Sequence, residues 1–117
     1  MYVKKIDDIK KEELNVGEKT FKQTLISSSE GPNFAMRKFS IEPEGFMPLH
    51  TNSVEHEQYI ISGKAEVQIG EEKILVQQND VVYIPAGVKH NYKTIGDETF
   101  EFICMIPNIK DEIKLVL

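Results

Sequence analysis

Turn-forming residues cut this chain into apolar runs too short to make helices. Ser28 to Asn33, then Pro43, Glu44 and Gly45, then Ser62 and Gly63, then Gly70, Glu71 and Glu72 follow one another at fairly regular spacing, and Asn79 and Asp80, Pro85, Ala86 and Gly87, and Gly96 and Asp97 continue the series. Glycine and asparagine tolerate the left-handed backbone of tight turns, and proline removes a backbone donor. The runs between them read as strands over 21–27, 34–41, 58–61, 74–77, 81–84, 89–94 and 99–106. At 64–69, Ala65, Val67 and Ile69 alternate with Lys64, Glu66 and Gln68, a period of two that marks a strand with one wet face. Gly70 to Glu72 is expected to close one hairpin, and Asn79 with Asp80 a second.

About eight to ten strands result, a number suited to a small barrel or sandwich. The weak helix candidates are 4–14 and 110–117, both expected as docked terminal arms. A chain of 117 residues suits one domain with an adequate core and no disulfides. The expected layout is a single all-β domain, with a barrel over about 20–107 and arms at 1–19 and 108–117.

The formal net charge is -5, and the lysines are scattered instead of forming a stripe that tracks phosphates. No nucleic-acid partner is expected. The first eleven residues are too charged for the apolar core of a signal peptide, and no apolar run reaches membrane-spanning length. The expectation is a cytoplasmic protein with no membrane partner. The single Cys104 excludes an internal disulfide and the paired cysteines of most structural zinc sites, so any metal must rest on nitrogen and oxygen ligands.

Histidines carry the chemistry. The chain has only three, and they sit in two spaced stretches: Gly45, His50, Asn52, His56 and Gly63, then Asn79, Pro85, Gly87 and His90. Positions 50, 52 and 56 share parity and can face one side of an extended chain. Together these stretches resemble the paired signature of the cupin superfamily: Gly, His-x-His, Glu or His, and Gly, followed by Gly, Pro-x-Gly and a final His. The resemblance covers roughly residues 33–107, and the run Glu55, His56, Glu57 is similar to that of small single-domain (cupin 2 type, conserved barrel) members.

The resemblance implies a double-stranded β-helix, a jelly-roll-like barrel, with His50, His56 and His90 converging on one divalent transition metal (Fe, Mn, Ni or Zn). Three departures stand out. Asn52 replaces the second His of His-x-His, Asn79 replaces a Gly, and only four residues separate Gly45 from His50 while Thr94 stands where the family often has Asn. Asn52 is thereby at best a weak neutral ligand. Asn52 and Gln58 are candidates to orient the ligand rings, and Glu57, of opposite parity to His56, is an alternative ligand only if a bulge reverses the two.

Three imidazoles with open positions suit a borderline divalent ion that also takes water, substrate or dioxygen. Tyr92, Phe102 and Cys104 are expected to line a pocket around it, with Met36 or Phe46 as further wall. Arg37 reads as a solvated strand residue. The resemblance implies a metal-binding cupin holding a small organic molecule, with an Fe- or Mn-dependent dioxygenase-like oxidoreductase as the leading reading. A non-enzymatic ligand- or metal-binding module, or a Zn-dependent or metal-free isomerase or epimerase, are the alternatives. The apolar ends Met1 to Ile6 and Ile113 to Leu117 and the usual pairing of small cupins point to a homodimer.

Overall fold

The computed structural model describes residues 1–117. A 3-10 turn at Ile6–Asp8 precedes ten strands: β1 (Glu12–Glu13), β2 (Glu18–Ile26), β3 (Phe34–Asn52), β4 (His56–Ser62), β5 (Lys64–Ile69), β6 (Glu72–Gln77), β7 (Val81–Ile84), β8 (His90–Ile95), β9 (Phe100–Pro107) and β10 (Ile113–Leu115). All ten belong to one antiparallel sheet whose main path runs β6-β5-β8-β3-β9-β4-β7, with β2, β10 and β1 attached at its side. The all-β barrel expected from sequence is the fold observed. Its end strands β6 and β7 share no ladder, so side-chain packing across the interior brings the two ends of the curled sheet together.

The longest strand departs from expectation. Pro43, Glu44 and Gly45 were read as the end of a strand, yet β3 runs straight through them. They act as a corner where the strand changes partners: pairing with β9 ends at Ile41↔Phe100, and pairing with β8 begins at Phe46↔Lys93. Glu44 takes φ 70 there. A Cβ on Gly45 would lie 2.8 Å from the carbonyl oxygens of Glu18 and Glu42, so the close passage of β2 over the corner requires glycine. Thr20 secures the crossing by donating its hydroxyl to the Phe46 carbonyl at 3.1 Å.

The β5–β6 connection is the expected hairpin, with Ile69 opposite Glu72. The connection from β6 to β7 is not one. β7 pairs with β4 instead, in the register His56↔Ile84 to Tyr59↔Val81, because Val82 and Ile84 bury their side chains in the core beside β4. Asn79 adopts φ 73, the left-handed conformation that asparagine tolerates, and donates its backbone amide to the Ile60 carbonyl at 2.9 Å, while the Ile60 amide donates to the Asp80 carbonyl at 3.0 Å and docks this corner on β4.

Neither terminal helix forms. Segment 4–14 has too few apolar positions for an amphipathic face, and only its 3-10 turn coils, held by Gln23 Nε2 donating to the carbonyls of Ile6 and Ile9. The C-terminal arm extends as β10 against β3, pairing Leu115 with His50. The N-terminal arm pairs through β1 with β2 and the C-terminal arm through β10 with β3, and β2 begins at Glu18.

The interior is aromatic at one end. Phe102 stacks on Phe39 at 5.3 Å and on Tyr92 at 5.0 Å between ring centroids, and touches Phe100 at 5.4 Å. Ala65 and Val67 are buried while Lys64 and Glu66 are exposed, which confirms the period of two read along β5. These contacts fix the inward faces of β3, β8 and β9, on which, with β4, the site is built.

Candidate metal centre and ligand cavity

His50 and His90 face each other across the β3–β8 ladder, and a register shift after Met47 brings them opposite. Their rings lie 4.2 Å apart between centroids, and His56, at the start of β4, lies 5.6 Å from His90. The turn between β3 and β4 buries Val54 and returns the chain so that His56, Gln58 and Ile60 all point inward. All three histidines are buried, so residues distant in sequence do meet at one place inside the barrel.

Local backbone bonds set the direction of two rings. His50 Nδ1 donates to the Pro48 carbonyl at 2.8 Å, and His90 Nδ1 donates to the Val88 carbonyl at 2.9 Å. A carbonyl only accepts, so each Nδ1 carries a proton, and in the neutral form of either ring the lone pair is left on Nε2. The loop before His90 is itself fixed, because the Gly87 amide donates to the Asn52 carbonyl at 2.8 Å. Burial pushes His56 and His90 down to about 4, and the Arg37 charge adds to the effect on His56. Both are neutral near pH 7, the form that binds metals.

The supporting residues divide differently from the expectation. Gln58 Nε2 donates to the Tyr92 hydroxyl at 2.6 Å and lies 3.6 Å from Cys104 Sγ, and its Oε1 is buried without a partner. It bonds to none of the three histidine rings. Asn52 Nδ2 donates to Asp111 at 2.9 Å, while its Oδ1 is buried and unpaired. The residue standing where the family has a histidine thus clasps the C-terminal arm to the histidine strand. The Ser53 backbone amide donates to the same carboxylate at 3.0 Å.

Glu57 is exposed and pairs outward between Tyr83 and Met105, so the alternative ligand set that uses it is corrected. The bulge needed to turn it inward is absent from that part of β4. Tyr92, Phe102 and Cys104 do line the cavity. Burial raises the Cys104 thiol, which makes it a packing group and not a thiolate. Phe46 is 40% exposed and neither it nor Met36 forms cavity wall. Met47 does so, because the β3 corner shifts which residues of the strand look inward.

Arg37 was read as solvated and is instead cavity wall, with its Nε buried. The signal for it was available: Arg37 shares parity with Phe39 and Ile41, both buried. Leu14 and Val16 from the N-terminal arm and Ile113 and Leu115 from β10 complete the mouth of a cavity of about 390 Å³. No pattern in the sequence announced that role.

The donor set fits a divalent transition metal in its chemistry: imidazole nitrogens in a buried site, two with their lone pairs directed, and an orphaned amide oxygen on Asn52. As placed, the side chains form no group of three or more His, Cys, Asp or Glu that could hold an ion. No helix is long and apolar enough to cross a membrane.

Comparison with known proteins gives the same picture of the fold. A family model described as Cupin domain matches residues 37–106. Among curated proteins, the xanthan biosynthesis protein XanB of Xanthomonas campestris pv. campestris (strain ATCC 33913) is 36% identical over 75 residues, covering 62% of this chain and 16% of that protein. A 1-methylthio-D-xylulose 5-phosphate methylsulfurylase of Rhodospirillum rubrum is 26% identical over 105 residues, 90% of this chain and 67% of that one. This chain therefore spans only a small part of the xanthan protein it matches. Among solved structures, the polyketide cyclase RemF from Streptomyces resistomycificus superposes with a TM-score of 0.92 at 24% identity, covering 100% of this chain and 86% of that one. Rru_A2000 from Rhodospirillum rubrum, a cupin-2 domain, gives 0.80 at 27% identity over 93% and 73%.

Proposed function

The chain belongs to the cupin domain family, and from that premise we propose that His50, His56 and His90 hold one divalent transition metal beside which a small organic molecule binds. The observation that carries this reading is the pair of directed imidazoles, His50 and His90, facing one another in a buried cavity that a third histidine also lines. Iron or manganese in such a place supplies oxidation chemistry with dioxygen, and a dioxygenase-like oxidoreductase is the activity we propose. The protein's own residues bind and shield. Phe39, Phe102 and Tyr92 form an apolar wall that excludes water, and the Pro48 and Val88 carbonyls hold two rings in the ligating tautomer.

A metal-free cavity, serving as a ligand-binding module or an isomerase, is the second reading. The observation favouring it is Asn52, whose amide is committed to Asp111 at the position where the family has a histidine. Elemental analysis of protein purified without a histidine tag, repeated on His90→Ala, separates the two. Stoichiometric metal that disappears in the variant is the expected result. Equal metal content in both proteins, or none in the native one after growth with each candidate ion, overturns the metal reading.

A further inference from the structure

The walls of the cavity are charged in one sense only. In a chain of net charge -5, the cavity is lined by Arg37 and Lys22 and by no aspartate or glutamate. Asp111, whose charge acts on His56 and His90, is taken up by Asn52 and the Ser53 amide. Neither Arg37 nor Lys22 belongs to an ion pair.

Arg37 is the sharper case. Its Nε is buried with no partner, its Nη2 donates only to the weak acceptor Cys104 Sγ at 3.4 Å, and its guanidinium lies 5.0 Å from the Phe39 ring centroid. A guanidinium partly withdrawn from water without a carboxylate opposite it loses solvation that a thiol and an aromatic ring restore only in part. Its planar fork matches a two-oxygen anion and is stiffened here by the ring beneath it.

We infer that the cavity takes a small organic acid, whose carboxylate pairs with Arg37 while its apolar body lies against Phe39, Phe102 and Tyr92 toward the histidines. Arg37 is then a binding and positioning residue, and Lys22 adds charge at the same wall. This deepens the proposed function by naming the ligand class of that cavity. It rests on the cavity and its cations, and it holds whether or not a metal occupies the histidines.

The test is calorimetric titration with benzoate, its neutral isostere benzamide, and phenyl phosphate, on the full chain as purified and after chelation. Benzoate is expected to bind the chelated protein about ten- to a hundredfold more tightly than benzamide, and Arg37→Met is expected to remove that advantage. Arg37→Lys should restore part of it. Because the guanidinium is unpaired, Arg37→Met should melt no lower than the native protein, and the isostere comparison on native protein stands without any variant. Phenyl phosphate binding better than benzoate would overturn the carboxylate assignment. Equal binding of benzoate and benzamide, no benzoate binding at millimolar concentration, or benzoate binding that needs the metal and ignores Arg37 would each overturn the inference. Failure of the metal reading shows separately, as equal metal content in native and His90→Ala protein.

Discussion

Acidification should destabilise the metal-free protein well above the pH at which its carboxylates protonate. His56 and His90 titrate near 6.5 when unfolded and are pushed down to about 4 in the fold, chiefly by burial. Above pH 6.5 both are neutral in either state and the fold has its full stability. Between pH 6.5 and 4 the unfolded chain binds more protons, so stability falls as pH falls through that window. At pH 5 each histidine costs about 2 kcal/mol relative to pH 7.5, and the two together about 4 kcal/mol. Both side chains are at most 5% exposed, so solvent screening removes little of this. A domain of this size holds roughly 5–15 kcal/mol in all, so the loss is a large share of the total.

Urea denaturation of chelator-treated protein at intervals from pH 7.5 to 4.5 measures it, with His90→Asn as the comparison. The native slope should approach about 2.7 kcal/mol per pH unit and the variant's about half of that. Stability at pH 5 within about 1 kcal/mol of its value at pH 7.5, or a variant with the full native slope, would refute the reasoning.

Two further outcomes follow from the polar contacts. Tyr92→Phe leaves the Gln58 amide with only Cys104 nearby and should cost about 1–3 kcal/mol in chemical denaturation, while Tyr92→Phe combined with Gln58→Met should recover most of the loss. A double variant as unstable as the sum of its parts would show that the hydrogen bond is not the cause. Asp111→Ala removes the acceptor for both Asn52 and the Ser53 amide and should raise amide hydrogen exchange over Ile113–Leu115, leaving β5 and β9 protected; unchanged protection of β10 would mean that its backbone ladder with β3 suffices.

The features legible in the sequence were those that local chemistry dictates. Alternation in Ala65, Val67 and Ile69 fixes which face of β5 is buried, and the left-handed tolerance of Asn79 explains a turn where glycine is usual. The three histidines were legible because their spacing reproduces a known signature. What escaped were properties of partner choice. Nothing local tells Pro43, Glu44 and Gly45 whether to end a strand or to redirect it, since the outcome depends on β8 and β9 standing on either side. The Asn79 corner looked like a hairpin because turn chemistry does not say which strand comes next to which. Arg37 was discounted on the general habits of arginine, although Phe39 and Ile41 two and four residues on are buried on the same face. The arms that rim the cavity alternate only briefly, at Leu14 and Val16 and at Ile113 and Leu115, and so short a pattern does not say where they dock.

β3 alone among the strands pairs with four others, and it carries Arg37 before its corner and His50 after it. A single backbone thus serves as the ruler between the cationic wall and the imidazoles. Substitutions at Glu44 or Gly45 would shift the two walls relative to one another without replacing any residue that lines the cavity.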